Sequence, residues 1–267
     1  MIEFFDYPFL QRALLAGLTI GIPCAFLGTF ITLRGMSFFT DAISHAAIAG
    51  LAIGLLLNVS PFIAAVVFCG LLAIGIVALK NRALASLDTV IGVIFAGSVA
   101  LGIVIISFLS GYRADLFTLL FGDILAVSVT DLWLALLLAI IILVFLFRYA
   151  TKLLLATFSE EFAAVSGIKT KKLDYFFFLI TALAIALCFK IVGVILITGF
   201  LLIPAAAAKN VAKSFRSMVV LSMIISVIST LSGIIISFYF DLPSGPAIIL
   251  AGTAIYLISL IFSRKPR

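Results

Sequence analysis

Asp41 and His45 are the residues of this chain whose types and spacing best suit chemistry, and His45 is its only histidine. Side chains four positions apart lie on one face of an α-helix, with Cβ atoms about 5–6 Å apart. A carboxylate and an imidazole placed in this way can hold a borderline divalent cation. The alternative is a polar pair that only hydrogen-bonds to neighbouring helices.

The segment that carries this pair, residues 37–57, has two rows of residues at four-residue spacing. The first row is polar and the second consists of small residues: Ser37, Asp41 and His45, then Ala42, Ala46, Gly50 and Gly54. Small residues let another backbone approach a membrane helix closely. The polar row is therefore expected to point into a helix bundle. An ionisable residue inside a membrane costs about 3 kcal/mol, which makes the pair a functional candidate.

Two ligands do not complete a zinc site, because zinc usually takes four. We expect the remaining ligands to come from outside the chain. A symmetric dimer would place two aspartates and two histidines around its axis and complete a tetrahedral set. Incomplete coordination in each subunit also suits a site that must release its ion.

The composition places this chain in a lipid bilayer. Hydrophobic residues make up 65% of the 267 residues and charged residues only 10%, whereas soluble domains carry about 25% charged residues. The net charge of +6 raises the question of a nucleic-acid partner. Because the basic residues fall in short loops between apolar runs, orientation in the bilayer explains them and no nucleic acid is expected.

A membrane-spanning helix needs about 20 mostly apolar residues. The sequence therefore predicts an all-α fold, a polytopic bundle of eight or nine transmembrane helices forming one domain, residues 1–267. The nine candidates are residues 9–33, 37–57, 61–79, 89–109, 131–148, 173–189, 191–208, 217–239 and 246–263. The count depends on residues 173–208, where Lys190 lies near the middle and two short helices would meet in a tight turn.

Basic residues are enriched in the cytoplasmic loops of membrane proteins. With the C-terminus in the cytoplasm, 14 of the 17 basic residues fall in inner loops. These are Arg34, Lys80, Arg82, Arg148, Lys152, Lys169, Lys171, Lys172, Lys209, Lys213, Arg216, Arg264, Lys265 and Arg267. We therefore expect a cytoplasmic C-terminus. Nine helices would place the N-terminus outside, and eight would place it inside.

The outer connection, residues 110–130, mixes Arg113, Asp115 and Asp123 with apolar residues. This pattern predicts an amphipathic or re-entrant helix at the outer surface.

The inner connection, residues 149–172, contains the polar stretch SEEFAAVSGIKTKK. Ser159 is expected to cap a helix there, because a serine side chain accepts hydrogen bonds from the first free N–H groups of a helix. Glu160 and Glu161 then lie favourably in the first turn. The helix is expected to end at Gly167.

Motifs of common enzymes are missing from the sequence. It contains no GxxxxGK[ST] phosphate loop, no HExxH zinc-protease motif and no serine-hydrolase elbow. The sequence gives no basis for an enzyme, and no covalently bound cofactor is expected.

Four segments of the sequence carry distinctive motifs: RGMSFFTDAISHAAIAG (34–50), LFGDILAV (120–127), VGVILITGFLLIPAAAA (192–208) and DLPSGPAIIL (241–250). These segments resemble the permease subunits of bacterial ABC importers for zinc and manganese. The resemblance runs through most of the chain, with the motifs in the expected order. The LFGD form of the outer loop is closer to the zinc-importing permeases.

This resemblance implies partners that the composition does not. Two permease subunits pair as a homodimer, two cytoplasmic ATP-binding subunits dock beneath them, and an extracytoplasmic binding protein delivers the metal. It implies a location in the bacterial inner (cytoplasmic) membrane, and ATP hydrolysis by the separate subunit. The transported ion would be Zn²⁺, or alternatively Mn²⁺.

The same resemblance assigns roles to particular residues. Asp41 and His45 match the family's Asp–His pair in the second helix, which is implicated in metal passage. The segment from Glu160 to Gly167 matches the cytoplasmic coupling helix that contacts the ATPase, with the pattern Glu161, Ala163 and Gly167.

Asp123 and Asp241 lie on the outer side in this arrangement. They would guide the cation or contact the binding protein, or else serve as ordinary solvated loop carboxylates.

Two other functions compete with the importer. A proton- or sodium-coupled secondary transporter would use the Asp–His pair as a relay and need no ATPase. A membrane scaffold would use the pair only to hold helices together. Loss of transport on removal of the ATPase would distinguish the importer from the first, and selective loss of uptake on mutation of the pair would exclude the second.

Overall fold

A computed structural model describes residues 7–80, 82, 84–108 and 124–262, with only the backbone described at Lys190, Val194 and Ile195. These residues form ten α-helices and one short 3₁₀ helix, which confirms the predicted all-α fold. The α-helices are α1 (Pro8–Leu33), α2 (Ser37–Leu56), α3 (Pro61–Lys80), α4 (Leu87–Phe108), α5 (Val129–Phe158), α6 (Glu160–Val165), α7 (Thr170–Val192), α8 (Val194–Val211), α9 (Phe215–Phe240) and α10 (Ser244–Ile261). The 3₁₀ helix covers Ile124–Ala126.

Within these described ranges, eight helices are long and apolar enough to cross a membrane. The segment Leu196–Val211 of α8 is apolar but shorter than the others. Each of the nine predicted segments therefore contains helix among its described residues, and eight of these helices meet the length of a span. The predicted turn within 173–208 occurs at Gly193, between α7 and α8, with φ +82°. Glycine adopts this left-handed conformation without the steric cost of a Cβ atom.

Helix α5 is longer than predicted. It continues to Phe158, ten residues beyond the expected end of the span at 148. At the start of the extension the ring of Tyr149 lies near two cations of the same helix, 5.8 Å from Arg148 and 5.7 Å from Lys152. The inner connection thus begins as the continuation of a spanning helix. The predicted outer helix falls largely on residues 109–123, outside the described residues.

The chain divides into two compact units. The first contains Met1–Gly35, Leu120–Phe147 and Ile191–Arg267, and the second contains Met36–Leu119 and Arg148–Lys190. The candidate metal pair and the predicted coupling helix both belong to the second unit.

In the first unit, α1, α8, α9 and α10 pack closely through small residues. Gly28 of α1 faces the backbone carbonyl of Leu201 in α8, and Gly233 of α9 faces the backbone of Ile248 in α10. The hydroxyl of Ser222 in α9 donates a hydrogen bond of 2.9 Å to the carbonyl of Ala25 in α1. Close backbone approach and interhelical hydrogen bonds replace hydrophobic driving force in a lipid environment.

In the second unit, the two faces of α3 differ in the size of their side chains. One face is buried and consists mainly of small side chains, at Ala65, Cys69, Ala73 and Ile76. The other face is exposed and consists of larger ones, at Ile63, Val67, Leu71 and Ile74. Since both faces are apolar, size rather than polarity distinguishes the packed face from the lipid-facing one.

Candidate metal site and coupling helix

Helix α2 begins two residues after Gly35, whose φ of +66° turns the chain between α1 and α2. From Ser37 onward the sequence is rich in alanine and leucine, which favour helix. Asp41 and His45 therefore lie one turn apart on α2, as their spacing predicts. Both side chains are half-buried.

The imidazole of His45 is held in one orientation by its own helix. Its Nδ1 lies 2.9 Å from the backbone carbonyl oxygen of Asp41. A carbonyl oxygen can only accept a hydrogen bond, so Nδ1–H is the donor, and the neutral form of the ring that binds a metal carries its lone pair on Nε2. A second hydrogen bond of this kind is the usual way in which a metal-binding histidine is oriented. Across the ring, Phe95 of α4 makes an edge contact, with centroids 5.5 Å apart.

His45 also lines a cavity of about 110 Å³ between α2 and α4. Its walls are apolar, formed by Ile48 and Ala49 of α2 and by residues 99–106 of α4. Gly102 brings α4 close to α2 there, since a Cβ atom at this position would lie 3.2 Å from Ala49. The imidazole is thus the polar group in an otherwise apolar cleft.

The small-residue row of α2 makes the close contact that its composition predicts. A Cβ atom at Gly50 would lie 2.6 Å from the Cα of Ala65, and one at Gly54 would lie 2.6 Å from the Cα of Pro61. Only glycine permits these backbones of α2 and α3 to approach so closely. Ala42 and Ala46 are buried on the same row.

The structure gives the metal pair no further protein ligand from the described parts of the chain. No group of three or more His, Cys, Asp or Glu side chains occurs there in an arrangement that could hold a metal ion. The Asp41 carboxylate likewise receives no hydrogen bond from a described residue. The described residues of one chain therefore offer one imidazole nitrogen and one carboxylate at this place, fewer than the four ligands of a closed zinc site.

Helix α6 has the ends predicted for it. The backbone N–H of Phe162 donates to Ser159 Oγ at 3.1 Å, which confirms the serine cap. At the other end Gly167 has φ +77°, and its N–H donates to Ala164 O while the N–H of Ile168 donates to Ala163 O, both at 3.0 Å. These two bonds form a Schellman motif, which satisfies the last carbonyls of a helix.

The exposure of α6 separates its residues into two groups. Ala163 is fully buried, whereas Glu160, Glu161 and Gly167 are exposed. Two apolar side chains of the same helix are also exposed: Phe162 by 60% and Val165 by 88%. Phe158, just before the cap, is exposed by 77%. The sequence analysis did not predict this exposed apolar surface. The signal for it was the presence of Phe162 and Val165 in the same short polar segment as Glu160 and Glu161.

Of the outer-side candidates, only Asp241 is described. It ends α9 in the left-handed conformation, with φ +51°, and is exposed. It borders a cavity of about 340 Å³ whose other lining residues include Phe9 and Phe238. Asp123 lies outside the described residues.

One ionic contact was not predicted. Lys80 Nζ at the end of α3 lies 2.6 Å from Asp174 Oδ2 in α7. The two residues are 94 positions apart, and no local pattern in the sequence connects them.

Known proteins resemble this chain along nearly its whole length. The model of the ABC 3 transport family matches residues 6–263. The high-affinity zinc uptake system membrane protein ZnuB of Haemophilus influenzae is 39% identical over 259 residues, 97% of this chain and 99% of that protein. The manganese transport system membrane protein MntC of Listeria monocytogenes is 36% identical over 260 residues, 97% of this chain and 92% of that protein.

A solved structure agrees with these relatives. PsaBC from Streptococcus pneumoniae in complex with Fab contains a chain that is 36% identical, with a TM-score of 0.85 over 99% of this chain and 97% of that one. The fold, the order of the motifs and the family model agree, and the chain belongs to the ABC 3 transport family.

Proposed function

We propose that this chain is the permease subunit of a bacterial ABC importer that carries a divalent metal, with Zn²⁺ as the principal substrate, across the cytoplasmic membrane. The observation that carries this proposal is the orientation of His45. Its Nδ1–H is bonded to the backbone carbonyl of Asp41 at 2.9 Å, and the ring lines a cavity one helical turn after the carboxylate-bearing Asp41. The named zinc and manganese permeases among the relatives support the same substrate class.

The choice of zinc over manganese rests on ligand chemistry. Imidazole suits zinc, whereas manganese prefers carboxylate, carbonyl and water oxygens. A site with one histidine and one aspartate can take either ion, so manganese is the alternative substrate. The relatives named for the two metals are 39% and 36% identical, a difference too small to decide between them.

A second copy of the chain supplies the missing ligands in this proposal. Two subunits related by a two-fold axis would contribute two imidazoles and two carboxylates, which is a tetrahedral set. Neither subunit closes the site alone, so separation of the two pairs releases the ion. In this proposal the ion is bound when the two pairs are close together and is released when they separate.

Helix α6 is the proposed contact with the cytoplasmic ATPase. Its exposed apolar side chains, Phe162 and Val165, need a covering surface, and Glu160 and Glu161 offer charges beside them. Ala163 is buried and Gly167 is left-handed, so these two residues keep the helix in its place and shape. The ATPase is a separate subunit in this proposal, because the permease carries no phosphate loop.

On the opposite side, Asp241 is the proposed contact for the extracytoplasmic binding protein. An exposed carboxylate beside a cavity can attract a cation or a basic side chain of the delivering protein. This arrangement requires the C-terminus to lie in the cytoplasm, which the inner-loop position of the basic residues supports. Asp123 is proposed for the same side from its sequence alone.

The experiment that tests the function is uptake of radioactive zinc and manganese into vesicles that contain the chain, its ATPase and its binding protein. His45→Ala is expected to lower ATP-dependent zinc uptake at least about 100-fold, because loss of a partner that merely orients a ligand already costs 10–100-fold. Asp88→Asn, an exposed carboxylate at the start of α4, serves as the control at matched expression.

Each outcome of this experiment has a definite meaning. Preference for manganese would keep the importer and change its substrate. Full uptake without the ATPase would overturn the importer in favour of a secondary transporter. Unchanged uptake by His45→Ala would make the Asp–His pair structural and place the ion path elsewhere.

A further inference from the structure

The ion pair between Lys80 and Asp174 has no role in the function described so far. It joins the last residue of α3 to the first turns of α7 at 2.6 Å. The side chain of Asp174 is only 11% exposed and that of Lys80 is 29% exposed. A pair so little exposed is screened less by salt than a surface pair.

Helix α7 is attached to α6 by a short connection with several backbone hydrogen bonds. The N–H groups of Gly167 and Ile168 donate back into α6, and the N–H of Thr170 donates to Ile168 O at 2.9 Å. No flexible linker therefore separates the end of α6 from the start of α7. A displacement of α6 must move the first turn of α7.

The face of α7 that carries Asp174 also contacts the metal-bearing helix. Phe178 lies four residues after Asp174, and therefore on the same face. Its ring meets that of Phe39 in α2, with centroids 4.9 Å apart in an edge contact, and both rings are fully buried. Phe39 lies two residues before Asp41, so α7 contacts α2 within one turn of the metal pair, on another face of the helix.

Helix α3, the other partner of α7, is in turn bound tightly to α2. Gly50 and Gly54 of α2 pack directly on the backbone of α3. The thiol of Cys69 in α3 also donates to the carbonyl of Ile43 in α2, at 3.6 Å. Since interiors are close-packed, a displacement of α3 is passed on to α2 rather than absorbed.

We propose that the Lys80–Asp174 ion pair is a positioning link that ties movement of the coupling helix α6 to the helix that carries Asp41 and His45. The inference rests on the proposed function. When the ATPase displaces α6, α7 moves with it. The ion pair then transmits this movement to α3 and α2, so that Asp41 and His45 change position. Neither Lys80 nor Asp174 touches the ion.

The alternative is an ion pair that only stabilises the fold. The two roles differ in what they predict: a stabilising pair changes the amount of folded protein, whereas a link changes the metal transported for each ATP hydrolysed. Energetic coupling must be demonstrated between the residues, because spatial proximity is not sufficient evidence for it.

The test uses the complete importer in proteoliposomes, with zinc uptake and ATP hydrolysis measured together. The variants are Asp174→Asn, Lys80→Met, the two combined, the exchange Lys80→Asp with Asp174→Lys, and the conservative Lys80→Arg. Asp88→Asn is the matched control, because this carboxylate is exposed and lies in the first turn of α4.

We expect each single neutralising variant to lower the zinc-to-ATP ratio by about fivefold, within the range by which residues of a coupling network act. The double variant should be no worse than either single variant. Lys80→Arg and the charge exchange should recover most of the ratio, because both restore an opposite-charge pair. An unchanged ratio in the single variants, or independent losses that multiply in the double variant, would overturn the link.

A second measurement does not depend on which metal is carried. Hydrogen exchange of α2 is compared in the nucleotide-free and ATP-bound complexes. In wild type, ATP should alter exchange in both α6 and α2, whereas in Asp174→Asn it should alter α6 alone. An equal response of α2 in the variant would overturn the proposal even if the variant is less stable.

Failure of the link is distinguishable from failure of the function. If the wild-type complex transports neither zinc nor manganese with ATP, the importer function fails and the link fails with it. If wild type is coupled and the variants are equally coupled, the function stands and only the link is overturned.

Discussion

Helices α2 and α6 carry the two sets of candidate residues, and different interactions hold them in place. No side chain caps the N-terminus of α2, but Gly50 and Gly54 press it against the backbone of α3. Helix α6 has only six residues and is largely exposed, but Ser159 and Gly167 satisfy both of its ends. Tertiary packing positions the first helix, and local hydrogen bonds shape the second.

This difference matches what the proposed function requires of each helix. Metal ligands must be held within fractions of an ångström of their working geometry, which requires a helix fixed by its neighbours. A contact for another subunit must keep its shape while its surface stays available. Caps meet that need because they stabilise a helix without covering its side chains.

The largest effect on stability is expected from a substitution that disturbs the packing of α2 on α3. Gly50→Ala should lower the free energy of unfolding by about 2 kcal/mol, because an added Cβ would overpack the contact with α3. That Cβ would lie 2.6 Å from the Cα of Ala65. Thermal unfolding of the purified protein measures the change.

Gly75→Ala in α3 is the control, since a Cβ there would meet nothing within 4 Å. It should be neutral or slightly stabilising, because alanine is the better helix former. Equal stability of Gly50→Ala and wild type would show that α2 does not depend on this close approach.

A smaller, local effect is expected where a cap is removed. Ser159→Ala should cost α6 about 1 kcal/mol and leave the global unfolding transition in place. Hydrogen exchange at the amide of Phe162, which donates to Ser159 Oγ, should become about fivefold faster, as that free energy implies.

Ser214→Ala is the matched control for that variant. Ser214 caps α9 by the same bond, from the N–H of Ser217 at 3.2 Å. Because α9 has 26 residues and is packed along its length, only its first turn should loosen. If exchange at Phe162 does not change in Ser159→Ala, the cap does not stabilise α6.

The smallest effect on stability is expected at the exposed surface of α6. Glu161→Lys should change the free energy of unfolding by only about 0.5 kcal/mol, the scale of a helix-dipole interaction. It should nevertheless lower ATP-driven zinc uptake, because it reverses a charge on the proposed ATPase contact. Vesicle uptake at matched expression measures this loss.

Asp88→Lys reverses an exposed charge in the first turn of α4 and should leave uptake unchanged. Loss of membrane expression in Glu161→Lys would instead remove the coupling role from this residue. Loss of uptake without loss of stability or expression would strengthen the comparison of α2 with α6. Stability and transport would then depend on different residues of the same unit.

Local patterns in the sequence predicted those features that depend on neighbours along the chain. The four-residue rows of α2 predicted that Asp41 and His45 share one face of the helix and that another backbone approaches Gly50 and Gly54 closely. Ser159 and Gly167 identified the two ends of α6. In each case the interacting groups lie within one or two turns, so spacing alone brings them together.

Features that depend on distant parts of the chain were not predictable in this way. Lys80 and Asp174 meet across 94 positions, and Phe95 reaches His45 only because α4 packs on α2. The ten added residues of α5 were missed for another reason. Arg148 and Lys152 mark the expected edge of the membrane, where the predicted span ended. The residues that follow them up to Phe158 still favour helix, so the helix itself does not end there.

The exposed side chains of Phe158, Phe162 and Val165 have a consequence for synthesis of the protein. Their exposed fractions are 77%, 60% and 88%, and they lie at and just beyond the end of a long helix. Exposed apolar side chains of this size attract chaperones, proteases and other copies of the same chain. In the proposed importer the ATPase covers them, so balanced synthesis of the two subunits favours accumulation of the permease, and co-expression is the practical route to its purification.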